Sequence, residues 1–192
     1  MRVTKEQAAK NRETILETAS KLFRERGIDG VGIAELAKTS GLTHGCLYAH
    51  FESKDALVAE VCAHSLARSL EKWQRLAEEH PDDPLGAITA NYLSRRHADR
   101  AGEGCLLAAL SADVARQGPE TRRILTEGLR ALLEILEQHA GTGSAKGDRS
   151  WARGQMATLV GAVTLARAVD DPALSDGFLT AVAKSAARDG TR

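Results

Sequence analysis

Apolar side chains recur at intervals of three and four residues through most of the chain. The first such run predicts a helix from about residue 5 to residue 26, with Gly27 in the position of a C′ glycine. Two shorter amphipathic segments follow. One starts at Gly32 and ends near Gly41, and the other starts after the capping residue Thr43. The apolar residues that would form the core of this three-helix unit are Ile15, Leu22, Phe23, Ile33, Leu36, Leu42, Leu47 and Phe51.

The rest of the pattern is also helical, and no segment shows a strand signal. A long fourth helix is predicted after the capping residue Ser53, and "HPDDP" ends it. The basic and acidic segment "RRHADRAGEG" is predicted as a loop or frayed end, and "GTGSAKGDR" as a flexible loop. The later helices are predicted at about 85–98, 105–117, 119–139, 151–169 and 172–188. The sequence therefore predicts an all-α fold of about nine helices, in a small N-terminal unit and a larger C-terminal one.

The composition favours a helical fold, and the absence of membrane and secretion signals favours a location in the cytoplasm. The chain has 26 Lys and Arg against 26 Asp and Glu, so its net charge alone does not indicate nucleic acid. No apolar run of about 18 residues predicts a membrane span, and the N-terminus lacks the apolar core of a signal peptide. Cys46, Cys62 and Cys105 are odd in number and widely spaced, so they predict no disulfide framework.

The N-terminus carries a small basic arm. Arg2, Lys5, Lys10 and Arg12 face only Glu6 before the next acidic residue. Such an arm indicates a protein that binds phosphate groups, although an ordinary disordered tail fits the same charges equally well.

The third helix carries an unusual set of polar and aromatic residues. His44, Cys46 and His50 do not converge as metal ligands should, since His50 lies nearly two turns from His44. The sequence has no CxxC, HExxH, nucleophile elbow or phosphate-binding loop. These observations argue against a metal centre, a cofactor and an enzyme.

Three short helices with a glycine in the second turn match a helix-turn-helix unit, whose last helix enters the DNA major groove. In that arrangement Gly45 lets the backbone approach DNA closely, and the helix N-terminus at Thr43 favours a phosphate. His44 and Cys46 are the candidates for contacting base edges, while Tyr48 offers a donor to phosphate oxygens. Lys54 offers a second phosphate donor.

The stretch "ILETASKLFRERGIDGVGIAELAKTSGLTHGCLYAHFESKDALV" resembles the DNA-binding domain of the TetR family of bacterial transcriptional regulators. The resemblance covers about residues 9–69, with the helix-turn-helix motif at about 32–51. It implies phosphate contacts from Tyr48 and Lys54. Gly32 stands where the family commonly has Ser or Thr, which removes a hydroxyl that often reaches a phosphate. The implied reading residues are Thr43, His44, Gly45, Cys46, Ala49 and His50.

The same resemblance implies that residues 70–192 form an all-α ligand-binding and dimerisation domain. The homodimer would bind a palindromic operator, and a small-molecule inducer would release it. The predicted pocket residues, each of which could also be plain core, are Leu70, Trp73, Tyr92, Cys105, Leu106, Leu107, Leu110, Met156 and Val160. The predicted dimer face, which could likewise be core, consists of Leu159, Val163, Ala166, Leu174, Phe178 and Val182.

Cys105 stands at a predicted helix N-terminus, a position that favours a reactive thiolate. The segment also resembles a TetR branch in which this cysteine senses electrophiles or oxidants, while the alternative is a small buried apolar residue. The sequence thus predicts a homodimeric repressor released by a small molecule or an electrophile. The alternatives are an activator, or a protein of this fold that acts mainly through a protein partner.

Overall fold

The computed structural model describes residues 4–140 and 149–190, with side chains up to residue 186. Over these ranges the chain forms ten α-helices, one short 3-10 helix and no strand, which confirms the all-α prediction. The helices are α1 (Lys5–Arg26), α2 (Ile33–Thr39), α3 (His44–His50), α4 (Lys54–Glu79), α5 (Pro84–Tyr92), α6 (Arg95–Asp99), α7 (Leu106–Ala115), α8 (Pro119–His139), α9 (Arg149–Ala168) and α10 (Pro172–Gly190). The 3-10 helix spans Ala101–Glu103, between α6 and α7.

Local capping sets the ends of the first three helices. The Thr4 hydroxyl accepts a hydrogen bond from the Gln7 N–H at 3.1 Å and starts α1, and Gly27 ends it at a φ of +78°. Thr43 caps α3 in the same way, by accepting from the Cys46 N–H at 3.2 Å. Gly41 has a φ of +69°, which a residue with a side chain rarely adopts. It makes the turn between α2 and α3.

Helix α4 joins the two parts of the molecule. Its first half packs on α1 and contributes Leu57, Val58 and Val61 to the core of the N-terminal unit. The helix as a whole makes its most extensive contacts with α8, where Leu66 packs against Gly128. The buried apolar residues form one continuous cluster across both parts. A displacement of α4 would therefore be transmitted to α3 through packed side chains.

The predicted helix at 85–98 is wrong, because the chain breaks between Tyr92 and Arg95. Helix α5 ends at Tyr92, and the Ser94 hydroxyl then accepts from the His97 N–H at 3.3 Å to start α6. The segment predicted as a loop instead forms α6 and the 3-10 helix. Ser94 was not predicted as a capping residue, and the break that it caps accounts for the tenth helix. Of the predicted loop at 141–149, residues 141–148 lie outside the described residues.

Helices α9 and α10 pack against each other, and α9 also contacts α6, α7 and α8. Leu159 and Val163 have no exposed surface and Ala166 is 6% exposed, so these predicted dimer residues belong to the core of the single chain. A side chain covered by its own chain has no area left for a second copy. Leu165 and Leu174 are instead nearly half exposed. Among the described residues, no helix is both long and apolar enough to cross a membrane.

Candidate nucleic-acid interface and ligand cleft

One face of α3 is anchored and the opposite face is open. Leu47 and Phe51 are 2% and 4% exposed, and they fasten the helix to α1, α2 and α4 through the core. Most of the predicted DNA-contacting residues lie on the outside. The exposed ones are Gly32, Thr43, His44, Gly45, Tyr48 and Ala49, while Cys46, His50 and Lys54 are half-buried. The structure therefore brings the predicted residues together on one side of the N-terminal unit.

His44 and Tyr48 form the most prominent part of this face. Their rings pack edge to face with centroids 5.1 Å apart, one helical turn from each other, and Tyr48 is 50% exposed. Gly45 lies between them in sequence, and a Cβ atom built there would meet nothing within 4 Å. The fold itself therefore does not require glycine at this position. A surface that approaches α3 closely would require it.

Cys46 is less available than the sequence suggested. Its sulfur accepts a hydrogen bond from the Asn11 side-chain amide at 3.8 Å, which directs the thiol toward α1. His50 lies beside the buried Phe51 ring, with centroids 6.4 Å apart. Of the two candidates for contacting base edges, His44 is therefore better placed than Cys46.

The basic arm contributes fewer free charges than its sequence implies. The Arg12 guanidinium pairs with Glu60 of α4 and lies 5.2 Å from the centre of the Phe51 ring. Arg12 therefore fastens α1 to α4. Lys5 and Lys10 remain exposed, and Arg2 lies outside the described residues.

A cleft of about 820 Å³ opens between α1, α4, α5 and the 3-10 helix. Of the predicted pocket residues, Trp73, Tyr92 and Cys105 line it. The others do not, because they pack in or against the hydrophobic core; these are Leu70, Leu106, Leu107, Leu110, Met156 and Val160. The cleft is also more polar than the mostly apolar set of predicted residues, since charged side chains from α1 and α4 make up much of its wall.

Arg24 joins the DNA-binding unit to the second part of the chain at this cleft. Its Nε and Nη2 atoms donate to the Gly102 carbonyl at 3.0 and 2.6 Å, and Nη1 donates to the hydroxyls of Ser20 and Ser65 at 2.7 and 3.1 Å. Burial lowers the pKa of Arg24. No role for Arg24 was predicted from the sequence. The available signal was the pair of serines, which interrupt otherwise apolar helix faces.

His97 holds the inner wall of the cleft together in its neutral form. Its Nδ1 donates to the Tyr92 carbonyl at 2.5 Å, and its Nε2 accepts from the Cys105 N–H at 2.8 Å. Burial, together with the nearby cations of Arg167 and Lys72, lowers the pKa of His97 to about 4, although the hydrogen bond to the Tyr92 carbonyl acts in the opposite direction. An added proton on Nε2 would face the Cys105 N–H and break that contact.

Two further observations concern metal binding and the reactivity of Cys62. The described residues contain no group of three or more His, Cys, Asp or Glu side chains that could hold a metal ion. Cys62 is buried, and this burial raises the pKa of its thiol to about 11, so it stays in the unreactive thiol form.

An exposed short helix held on a three-helix unit is the arrangement of helix-turn-helix DNA-binding proteins. A family model described as "Bacterial regulatory proteins, tetR family" matches residues 15–61, and one described as "Tetracyclin repressor-like, C-terminal domain" matches residues 81–182. The chain belongs to the TetR family of transcriptional regulators, which bind DNA and are not enzymes. The two matches leave part of α4 between them, so the boundary at 69/70 stays a prediction.

Relatives support the same assignment. The repressor NemR of Escherichia coli K12 is 28% identical over 135 residues, which cover 69% of this chain and 68% of that protein. The regulator AcrR of Shigella flexneri is 33% identical over 87 residues, 45% of this chain and only 40% of that protein. A crystal structure of E. coli NemR in its reduced form superposes with a TM-score of 0.78 at 25% identity, covering 92% of this chain and 95% of that one. A TetR regulator from Legionella pneumophila, at 16% identity and a TM-score of 0.79, shares the fold.

Proposed function

We propose that this regulator is a homodimeric repressor that acts in the cytoplasm on a palindromic operator and is released by an inducer. The observation that carries the proposal is the exposed face of α3, where His44, Gly45 and Tyr48 stand clear of the core. Two such helices in a symmetric dimer would be about 34–36 Å apart, the spacing of successive major grooves.

The test is binding of the full chain to DNA from upstream of its own gene. We expect saturable binding to a palindrome in that region, with an affinity that falls steeply as salt rises. A scrambled palindrome of the same length is the control. If the two DNAs bind equally at moderate salt, the repressor proposal is wrong and a protein partner becomes the better reading. Increased transcription from a bound promoter would identify an activator.

The dimer face is proposed on the outer surfaces of α9 and α10. Small and apolar residues follow one exposed face of α9, with Leu165 at its centre, and continue on α10 from Leu174 to the half-buried Phe178. Gly161 and Gly177 lie on these faces, and a Cβ atom at either position would meet nothing within 4 Å. This surface replaces Leu159, Val163 and Ala166. It keeps Leu174, Phe178 and the half-buried Val182 from the sequence prediction.

A double variant, Leu165→Glu with Leu174→Glu, tests this face. Light scattering after gel filtration should show a dimer for the wild type and a monomer for the variant, because four carboxylates would face each other across a symmetric interface. Arg130→Glu, at an exposed position on α8, is the matched control and should stay dimeric. A dimeric double variant with a normal circular dichroism spectrum would place the interface elsewhere.

The cleft at the junction is the proposed inducer site, because its wall is shared between α1 and the second part of the chain. A ligand bound there would make different contacts in two different positions of α1. Such a difference is the condition under which ligand binding changes the affinity for DNA.

Cys105 also lines this cleft, which supports the narrower proposal that an electrophile is the inducer. In a Cys46→Ser background, which removes the thiol on the DNA-facing helix, modification by N-ethylmaleimide should then lower the operator affinity, and Cys105→Ser should abolish that loss. Cys62→Ser in the same background is the matched control, because the Cys62 thiol is buried. A Cys105→Ser protein that is still released by the reagent would refute electrophile sensing.

A further inference from the structure

At the inner end of the junction cleft, beside Tyr92 and Cys105, two cations form no ion pair with a carboxylate among the described residues. Among the cations that line the cleft, Arg24 bonds only to neutral oxygens, those of Gly102, Ser20 and Ser65. Lys72 has no ion-pair partner within the part of the chain that the structure describes. Burial lowers the pKa of Lys72, and the nearby cations Arg96 and Arg75 lower it as well.

Four carboxylates line the cleft, and two of them pair with arginines, while Glu13 lies 3.9 Å from His64 and Glu71 has no ion pair among the described residues. Glu17 pairs with Arg68 at 3.2 Å, and Glu103 pairs with Arg96 and Arg100 at 3.1 and 3.3 Å. These pairs are exposed and screened by solvent, so they add little net field at the inner end.

Three cations lie around residues 102–105: Arg24 bonds to the Gly102 carbonyl, Lys72 lines the cleft together with Cys105, and Arg167, which is not part of the cleft lining, has its Nη2 atom beside Gly104. A negative charge at the Cys105 sulfur would raise the pKa of Arg24, of Lys72 and of Arg167. An anion placed next to that sulfur would therefore interact favourably with all three side chains, and it would do so in a partly water-excluded place where such interactions are strong.

Two buried donors near residues 102–105 have no oxygen or nitrogen partner among the described residues. Tyr92 is 3% exposed, and the weakly polar Cys105 thiol is the only hydrogen-bond partner within reach of its hydroxyl among the described residues. The Nη1 atom of Arg167 is buried and unpartnered as well, while its Nη2 and Nε bond to the carbonyls of His97 and Ala98. Buried donors are rarely left unsatisfied, so a polar group is expected to accept from them.

We infer that the inner end of this cleft binds the carboxylate or phosphate group of a small organic anion. Lys72 and the Tyr92 hydroxyl donate to the anionic group, and Arg24 and Arg167 supply further positive potential. The 820 Å³ of the cleft leaves room for an organic body beside Trp73, whose ring packs against Tyr92 at 6.0 Å. The inference rests on the proposed function only for the effect of the anion on DNA binding.

The site is tested on the full chain without DNA. Thermal unfolding and calorimetric titration are measured with benzoate, with its neutral analogue benzamide and with inorganic phosphate, and sodium chloride keeps the ionic strength constant. We expect benzoate or phosphate to raise the Tm while benzamide does not. Stabilisation by benzoate alone would identify carboxylates as the ligand class, and stabilisation by phosphate alone would identify phosphates.

Lys72→Gln and Tyr92→Phe should each weaken binding of the effective anion at least tenfold. Tyr92→Phe should leave the Tm without anion nearly unchanged or higher, since it removes a buried hydroxyl whose only partner within reach is a weakly polar thiol. Arg130→Gln, an exposed cation on α8, is the charge-matched control and should bind as the wild type does.

The inference is overturned if neither anion raises the Tm above the chloride control, or if both variants bind as tightly as the wild type. Failure of the regulator proposal would be seen separately, as an absence of sequence-dependent DNA binding by protein that still binds the anion.

Discussion

The Arg24 guanidinium donates two hydrogen bonds to the carbonyl oxygen of Gly102, at 3.0 and 2.6 Å, across 78 residues of sequence. This contact fixes α1 of the DNA-binding unit to the 3-10 helix of the second part of the chain. It lies at the wall of the ligand cleft. A ligand in the cleft would therefore bind next to the contact that attaches the DNA-binding unit, with α3, to the second part of the chain.

Replacing Arg24 with Gln should weaken this contact between α1 and the 3-10 helix. The variant loses charged donors to one carbonyl and two buried serine hydroxyls, so we expect its free energy of unfolding to fall by roughly 1.5–3 kcal/mol. Urea unfolding measures the change. Arg68→Gln is the matched control, since Arg68 and its partner Glu17 are both more than half exposed, and we expect almost no change there. Equal effects of the two substitutions would mean that Arg24 is an ordinary surface contact.

Gly45→Ala should separate stability from DNA binding. A Cβ atom at this position meets nothing in the free protein, and alanine favours helix over glycine, so the free energy of unfolding should stay constant or rise by up to about 1 kcal/mol. The operator affinity should nevertheless fall, because the added methyl group would stand between α3 and the DNA. A variant with unchanged operator affinity would show that the α3 backbone does not approach DNA closely at Gly45.

His44→Ala and Tyr48→Phe should affect DNA binding in different ways. Loss of an imidazole that contacts base edges should relax the sequence preference, at a cost of about 1–3 kcal/mol on the operator and little on unrelated DNA. Loss of the Tyr48 hydroxyl, or of the Lys54 ammonium, should weaken binding to all sequences alike. Fluorescence anisotropy with operator and scrambled DNA distinguishes the two patterns, and the reverse pattern would contradict this division.

Cys46→Ala is the informative companion to these variants. The Cys46 thiol is half-buried and bonds to Asn11, so we expect a smaller loss of sequence preference than for His44→Ala. A larger loss would show that the thiol turns away from α1 when DNA is bound.

Helix positions were predictable where a cap or a glycine marks the boundary, as at Thr43, Ser53 and Gly27. The exposed surface of α3 was also predictable, because the apolar residues Leu47 and Phe51 define its inner face. The cleft was not predictable. It is lined by residues from α1, α4 and the segment after α5, and their proximity depends on the break at Ser94. Leu159 was assigned to the wrong surface because apolar periodicity alone cannot distinguish a core face from a dimer face.

His97 should make the protein less stable as the pH falls from 7 to 5. Its pKa is about 4 in the folded chain, below the ordinary value of 6.5, because the buried ring is held neutral between the Tyr92 carbonyl and the Cys105 N–H. Between these two pH values the unfolded chain binds a proton that the folded chain does not, so the free energy of unfolding falls as the pH falls. The contribution of this one group amounts to about 2 kcal/mol by pH 5. His97→Gln should lose stability at pH 7 but show a flatter pH profile, whereas His80→Gln, at the exposed end of α4, should keep the profile of the wild type. A His97→Gln profile as steep as that of the wild type, measured by urea unfolding, would assign the acid sensitivity to other groups.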